Sequence, residues 1–352
     1  MQSYTQPKLL KTWLWSGIIL VTLMVVIGGI TRLTGSGLSM VEWKPVTGIV
    51  PPMNEQQWQQ AFNDYKQYPE YQKINFSLTL EDFKGIFWWE YTHRLLGRLT
   101  GLIFLVPFLY FLLSKQLAPP LVKRLLLILL LGALQGMMGW LMVKSGLADI
   151  PHVSHYRLAA HLSLALLLIA VLLWTIQDLG PARPLPTTAV PRLRQFQLAK
   201  VLVLLVFCQI VLGAFVAGLK AGFSYNTFPL MEEQFFPHNL YNSAIDLFES
   251  GPVVQFIHRW FAFLVLGFAL LFVNSNRQAG VPASLKQSVR WLLLVLFLQT
   301  ALGISTLLLR VPLVLGVLHQ LVAVLLFSLS IKILYQASST RRSAATTTLP
   351  LA

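Results

Sequence analysis

Four of the seven histidines, His93, His161, His258 and His319, stand inside long apolar runs. An ionisable side chain at membrane depth is costly and is functional by default; the plain alternative is an interfacial imidazole bonded to the backbone. Here the four fall one to each even-numbered apolar segment, which favours the functional reading. Two histidines on facing helices of a four-helix bundle can trap a flat cofactor, and imidazole is a common axial ligand of haem iron. Zinc would ask for cysteines, or for more histidines and carboxylates at one place. Each half of the chain offers a single intramembrane histidine pair and the chain has one cysteine, Cys208, so haem is the better fit. Glu90 stands one helical turn before His93 on the same face, where the residue before His258 is Gln255. A carboxylate beside a haem can move protons or stabilise developing positive charge, which an amide does poorly. The N-terminal pair with Glu90 is therefore expected to be the reaction site and the C-terminal pair a permanent redox site. The competing reading has Glu90 simply paired with Arg94 at i+4. Arg94, Arg98 and Arg259 either meet haem propionates or snorkel to water. His152, His155 and His238 fall in the outer loops and read as ordinary exposed residues.

The elements that must position these side chains are membrane helices. Of the 352 residues, 55% are hydrophobic and only 11% charged, with mean hydropathy +0.64. Soluble proteins carry roughly a quarter of their residues as charges, so a cytosolic enzyme, a disulfide scaffold and a disordered regulator are excluded. Apolar runs of about 20 residues, long enough to cross the hydrocarbon, are predicted at 13–31, 88–113, 121–143, 158–176, 198–219, 254–273, 291–309 and 313–334. The first is longer than the apolar core of a signal peptide. All four histidines are expected within the first two turns of their helices, roughly 6–9 Å along each axis, and thus at one depth near the outer leaflet. Eight spans put both termini on one side. Assigning the termini, the 114–124 turn and the 177–200 and 274–290 loops to that side gives it 15 basic residues and one acid, Asp178. The opposite side is balanced, so the whole net charge of +14 lies on one face. The positive-inside rule makes that face cytoplasmic. It can attract anionic lipid, and nucleic-acid binding is not needed to explain the charge.

The halves are related by an internal duplication. Gly28, Gly37 and Ser39 match Gly213, Gly222 and Ser224, each 185 residues on, and His93-Arg94 matches His258-Arg259. Gln135 and Gly139 match Gln299 and Gly303, and His161 matches His319. With an even number of spans per half, the repeats run in the same direction. The expected architecture is all-α and integral to the membrane: two parallel-repeat four-helix bundles side by side. The N-terminal half covers 1–176, a cytoplasmic linker 177–197 and the C-terminal half 198–352. The Gln-x-x-x-Gly pattern, which recurs as Gln209/Gly213, reads as helix packing. The long outer segment Arg32–Phe87, with Pro45, Pro51 and Trp58, is expected to be functional because of its length, with a short amphipathic helix over Gln56–Tyr68.

The run Gly28-Gly29-Ile30-Thr31-Arg32-Leu33-Thr34-Gly35-Ser36-Gly37-Leu38-Ser39 resembles the haem A synthase family. So do Glu90-Tyr91-Thr92-His93-Arg94, Ala160-His161, Tyr225-Asn226-Thr227-Phe228-Pro229, His258-Arg259 and Leu318-His319-Gln320. The resemblance implies an eight-helix oxidoreductase that oxidises the C8 methyl of haem O to a formyl group, giving haem A for terminal oxidases. It implies substrate haem on His93 and His161, haem b on His258 and His319, and a part in the chemistry for Glu90. It also names haem O synthase and oxidase assembly factors as candidate partners, leaves a homo-oligomer open, and suggests a bacterial plasma membrane. Some members carry a cysteine pair in the first outer loop. This chain has none there, so a thiol mechanism is not expected. The competing function is a di-haem membrane cytochrome b that transfers electrons without altering its haem. A parallel-repeat transporter with a histidine proton relay is a third.

Overall fold

The computed structural model describes residues 7–43, 47–148, 151–180, 193–237, 241–277 and 281–347. Much of the expected 177–197 linker and His238 lie outside them. Among the described residues eleven α-helices follow in order: α1 Pro7–Leu33, α2 Glu55–Lys66, α3 Pro69–Lys73, α4 Leu80–Leu113, α5 Pro119–Gly146, α6 His155–Asp178, α7 Leu193–Gly218, α8 Asp246–Glu249, α9 Gly251–Ser275, α10 Ala283–Leu308 and α11 Leu313–Thr347. Eight of these, α1, α4, α5, α6, α7, α9, α10 and α11, are long and apolar enough to cross a membrane. Each corresponds to one predicted span. Large apolar side chains such as Ile19, Val106, Leu204, Leu271 and Val314 point outward and are exposed, as they should be where lipid replaces water as the solvent.

The chain divides into two compact units, Met1–Leu168 and Ile169–Ala352. In the first, α1 packs along α4 and α4 meets α5. In the second, α7 packs along both α9 and α11, while α10 packs along α11 and α9. α4 contains Pro107, which has no N–H to give to the carbonyl four residues back. That carbonyl belongs to Ile103 and accepts instead from the indole Nε1 of Trp13 on α1, at 3.1 Å. Trp13 is buried against Phe104 and Phe111. A helix break in α4 is thereby turned into a contact with α1.

α4 begins eight residues before the predicted start, and this changes the expected depth of one histidine. Thr79 and Asp82 form a capping box: the Thr79 side chain accepts from Asp82 N, and the Asp82 carboxylate accepts from Thr79 N at 3.0 Å. The added turns carry Phe83 and Phe87, which pack with Trp58, Phe62 and Tyr65 of α2 and with Tyr91 into a buried aromatic cluster. His161, His258 and His319 still fall within about two turns of their helix starts. His93 lies more than three turns into its own, because α4 rises beyond its apolar run to meet α2. The expected amphipathic helix over Gln56–Tyr68 is α2, capped by Asn54, which accepts from Gln57 N at 2.9 Å.

Candidate functional site

Glu90 is 3% exposed and both of its oxygens are engaged. Oε1 accepts from Arg94 Nη2 at 2.6 Å and Nε at 3.1 Å. Oε2 accepts from Ser39 Oγ at 2.7 Å and from Met40 N at 2.8 Å. The Arg94 pairing anticipated from the i+4 spacing is thus present, within a larger arrangement. Arg94 also donates to the Met40 carbonyl at 2.6 Å and to the Glu42 carbonyl at 2.9 Å, and its guanidinium lies 5.2 Å from the centre of the Trp43 ring. The stretch after α1 is held to α4 by one carboxylate and one guanidinium. Three residues, one of them a cation, supply the four hydrogen bonds to this carboxylate.

The second unit repeats the arrangement with a different partner. Ser224 and Tyr225 stand where Ser39 and Met40 do, 185 residues on. Arg259 Nη2 donates to the Tyr225 carbonyl at 2.6 Å, as Arg94 does to that of Met40, and Nη1 donates to the Thr227 carbonyl at 2.8 Å. Gln255, in Glu90's place, donates to the Tyr225 carbonyl at 3.0 Å. Arg259 is only 8% exposed, so it does not snorkel; neither does Arg94, whose side chain is equally covered. Asn226 ties the same stretch to α10 through the Leu307 carbonyl at 2.9 Å. The Phe228–Pro229 peptide is cis.

Each of the four histidine rings lies against a glycine on a neighbouring helix. A Cβ built on Gly28 would stand 3.2 Å from His93 Nε2, and one on Gly139 3.2 Å from His161 Cε1. The corresponding distances are 3.1 Å from Gly213 to His258 and 2.9 Å from Gly303 to His319. Any larger residue would push the ring out of place, so the glycines are seats. Three rings also meet a glutamine one turn before their glycine. Gln135 Nε2 is 3.4 Å from His161 Nε2, Gln299 Nε2 is 3.4 Å from His319 Nε2, and Gln209 Nε2 is 3.2 Å from His258 Nδ1 and donates to the His258 carbonyl at 3.0 Å. The Gln-x-x-x-Gly pattern, read from the sequence as packing alone, braces the histidines. The signal that could have shown this was its threefold recurrence on helices that neighbour a histidine helix.

Within each unit the two histidines are in electrostatic reach of one another: His93 with His161, His258 with His319. The Nδ1 atoms of His161 and His319 are buried without a hydrogen-bond partner, an arrangement that costs on the order of 1–3 kcal/mol per group when nothing else satisfies it. Glycine cradles and orphaned ring nitrogens at matching places suit a flat ligand whose metal takes an imidazole from each side. Among the described residues no group of three or more histidine, cysteine, aspartate or glutamate side chains could hold a bare ion. His152 is exposed, and His155 at the start of α6 lies beside the Tyr156 ring, centroids 4.1 Å apart. Cys208 is a partly buried free thiol within α7.

Fold and seats together define a polytopic helical membrane protein with a histidine pair set into each of two units. A match to the cytochrome oxidase assembly protein family (COX15-CtaA) runs over residues 11–331. The chain belongs to that family. It is 47% identical to a haem A synthase of Nitrosospira multiformis over 331 residues, 93% of each chain. It is 45% identical to one of Parvibaculum lavamentivorans over 91% of each. A haem A synthase of Flavobacterium psychrophilum is 42% identical over 93% of this chain and 97% of the relative. The family resemblance read from the motifs is borne out.

Proposed function

We propose that this protein is a haem A synthase: an oxidoreductase of the membrane that converts the C8 methyl of haem O to a formyl group. The observation that carries the reading is the duplicated histidine seat combined with a single-sided carboxylate, Glu90 against Gln255. His93 and His161 are the ligands of the substrate haem, and His258 and His319 those of a resident haem b. The arrangement is two parallel four-helix repeats, with the basic face and both termini cytoplasmic, in a bacterial plasma membrane. The iron of the resident haem supplies one-electron transfer when bound.

The chain's own residues do the rest. The glycine seats fix each imidazole against a bare backbone, so the rings present nitrogen at a set place. Arg94 and Arg259 hold the outer stretches over the histidine-bearing helices and, with their side chains covered, help keep water from the mouths. Glu90 keeps a fixed negative charge one turn from His93, where a carbon losing electrons gains from it. Its oxygens accept four hydrogen bonds, which hold the carboxylate in place. Co-expression with a haem O synthase, followed by extraction of pigments, tests the reading. Haem A should accumulate with the wild-type chain and not with His93→Ala. Haem O that persists unchanged beside an intact low-spin haem spectrum would favour the di-haem cytochrome instead.

A further inference from the structure

The glutamine brace found at three histidines is replaced at the fourth. One turn before Gly139, Gly213 and Gly303 stand Gln135, Gln209 and Gln299; one turn before Gly28 stands Met24. The Met24 methyl packs toward Gly97, 3.4 Å from where a Cβ there would be, on the α4 turn that follows His93. Among the described residues nothing hydrogen-bonds the His93 ring, whereas its repeat counterpart His258 has one glutamine on both its ring and its carbonyl.

We propose that Met24 makes His93 the releasing ligand of the N-terminal site, so that this site exchanges its haem while the C-terminal one retains its own. An imidazole that binds iron through one nitrogen donates the N–H of the other; the Oε1 atoms of Gln135, Gln209 and Gln299, buried without a partner, would accept it once the amide turns, and loss of such a partner typically costs 10–100-fold in metal affinity. A thioether is only a weak acceptor for that N–H and is flexible enough to let the ring turn. Release breaks one iron–nitrogen bond, the electron pair stays on the imidazole, and no oxidation state changes. An enzyme that takes in one haem and gives out another needs this at one site only. The inference rests on the site assignment above, and it names the residue that makes that site open for exchange.

The test measures haem loss rather than turnover. Purified protein in detergent is loaded with iron protoporphyrin IX, and transfer to excess apomyoglobin is followed by absorbance. The His258→Ala background isolates the N-terminal site and the His93→Ala background the C-terminal one. Met24→Gln should slow loss from the first by about 10–100-fold, and Gln209→Met should speed loss from the second by a similar factor. Met24→Leu, apolar like the native residue, should leave the rate where it was. Rates within twofold of the parents in both backgrounds overturn the proposal, as does a Met24→Leu variant slowed as much as Met24→Gln. Should Met24→Gln fail to fold, the Gln209→Met rate decides alone. If neither background binds haem with a low-spin spectrum, the histidine pairs are not haem ligands and the site assignment falls too. Loaded sites with unchanged rates sink only the role of Met24.

Discussion

Replacing Glu90 by glutamine keeps the shape, copies Gln255 and removes the charge. The native carboxylate accepts two bonds on each oxygen, but an amide has one oxygen, so either Arg94 or the Ser39–Met40 pair would face an N–H₂ group donor to donor. Arg94 would also lose its counter-charge with its side chain only 8% exposed. Breaking a buried pair from one side costs about 3–5 kcal/mol, which lowers the thermal midpoint without unfolding a protein of eight packed helices. The effect on rate comes from the missing fixed charge, about 10²–10³ by comparison with other preorganised electrostatic groups. The assay quantifies haem O, partly oxidised haem and haem A extracted from cells that co-express a haem O synthase, beside total histidine-ligated haem in the purified variant. Haem should still bind while haem A falls by two to three orders of magnitude. Ser39→Ala, which removes one of four donors and leaves the charge, should cost about 1–3 kcal/mol and less than tenfold in haem A. Undiminished haem A from Glu90→Gln would refute the electrostatic role and leave Glu90 as the clasp of Arg94 alone.

Either His258→Ala or His319→Ala should abolish the low-spin haem b spectrum while the helical circular dichroism stays near wild type; a full spectrum in both variants would contradict the assignment. Gly303→Ala places a methyl 2.9 Å from the His319 ring and should weaken haem b retention by about tenfold or more, whereas Gly267→Ala, with nothing within 4 Å, should not; equal retention in the two would dismiss the seat. Cys208→Ser should turn over at close to the wild-type rate with a small packing cost, and an inactive but folded variant would reinstate thiol chemistry.

The number and order of the spanning helices were legible from the sequence because lipid demands long apolar runs. The ends were less so. The first turns of α4 carry Glu81, Asp82 and Lys84 and look like loop by hydropathy, although Thr79 and Asp82 spell a capping box. The extension of α11 past the predicted end at 334 to Thr347 is likewise polar. At the site, the histidines and Glu90 stand out by chemistry alone. What they touch does not. That Gln135, Gln209 and Gln299 brace imidazoles depends on which face of each helix meets its neighbour, and two polar residues far apart in the chain carry no local mark of that. The arginines were open between propionates and water, and the backbone carbonyls that occupy Arg94 and Arg259 cannot be read from residue types, since every residue offers one.

A latch that closes on a main-chain oxygen recognises a position in the chain rather than an amino acid. Met40 and Tyr225 can therefore hold the same post under Arg94 and Arg259 although they share neither size nor polarity. Side chains in each outer stretch can differ as long as its path is kept. One is followed by the aromatic layer of α2, the other by the Phe228–Pro229 peptide. Sequence drift in these loops can retune what each mouth admits without loosening the helix beneath it.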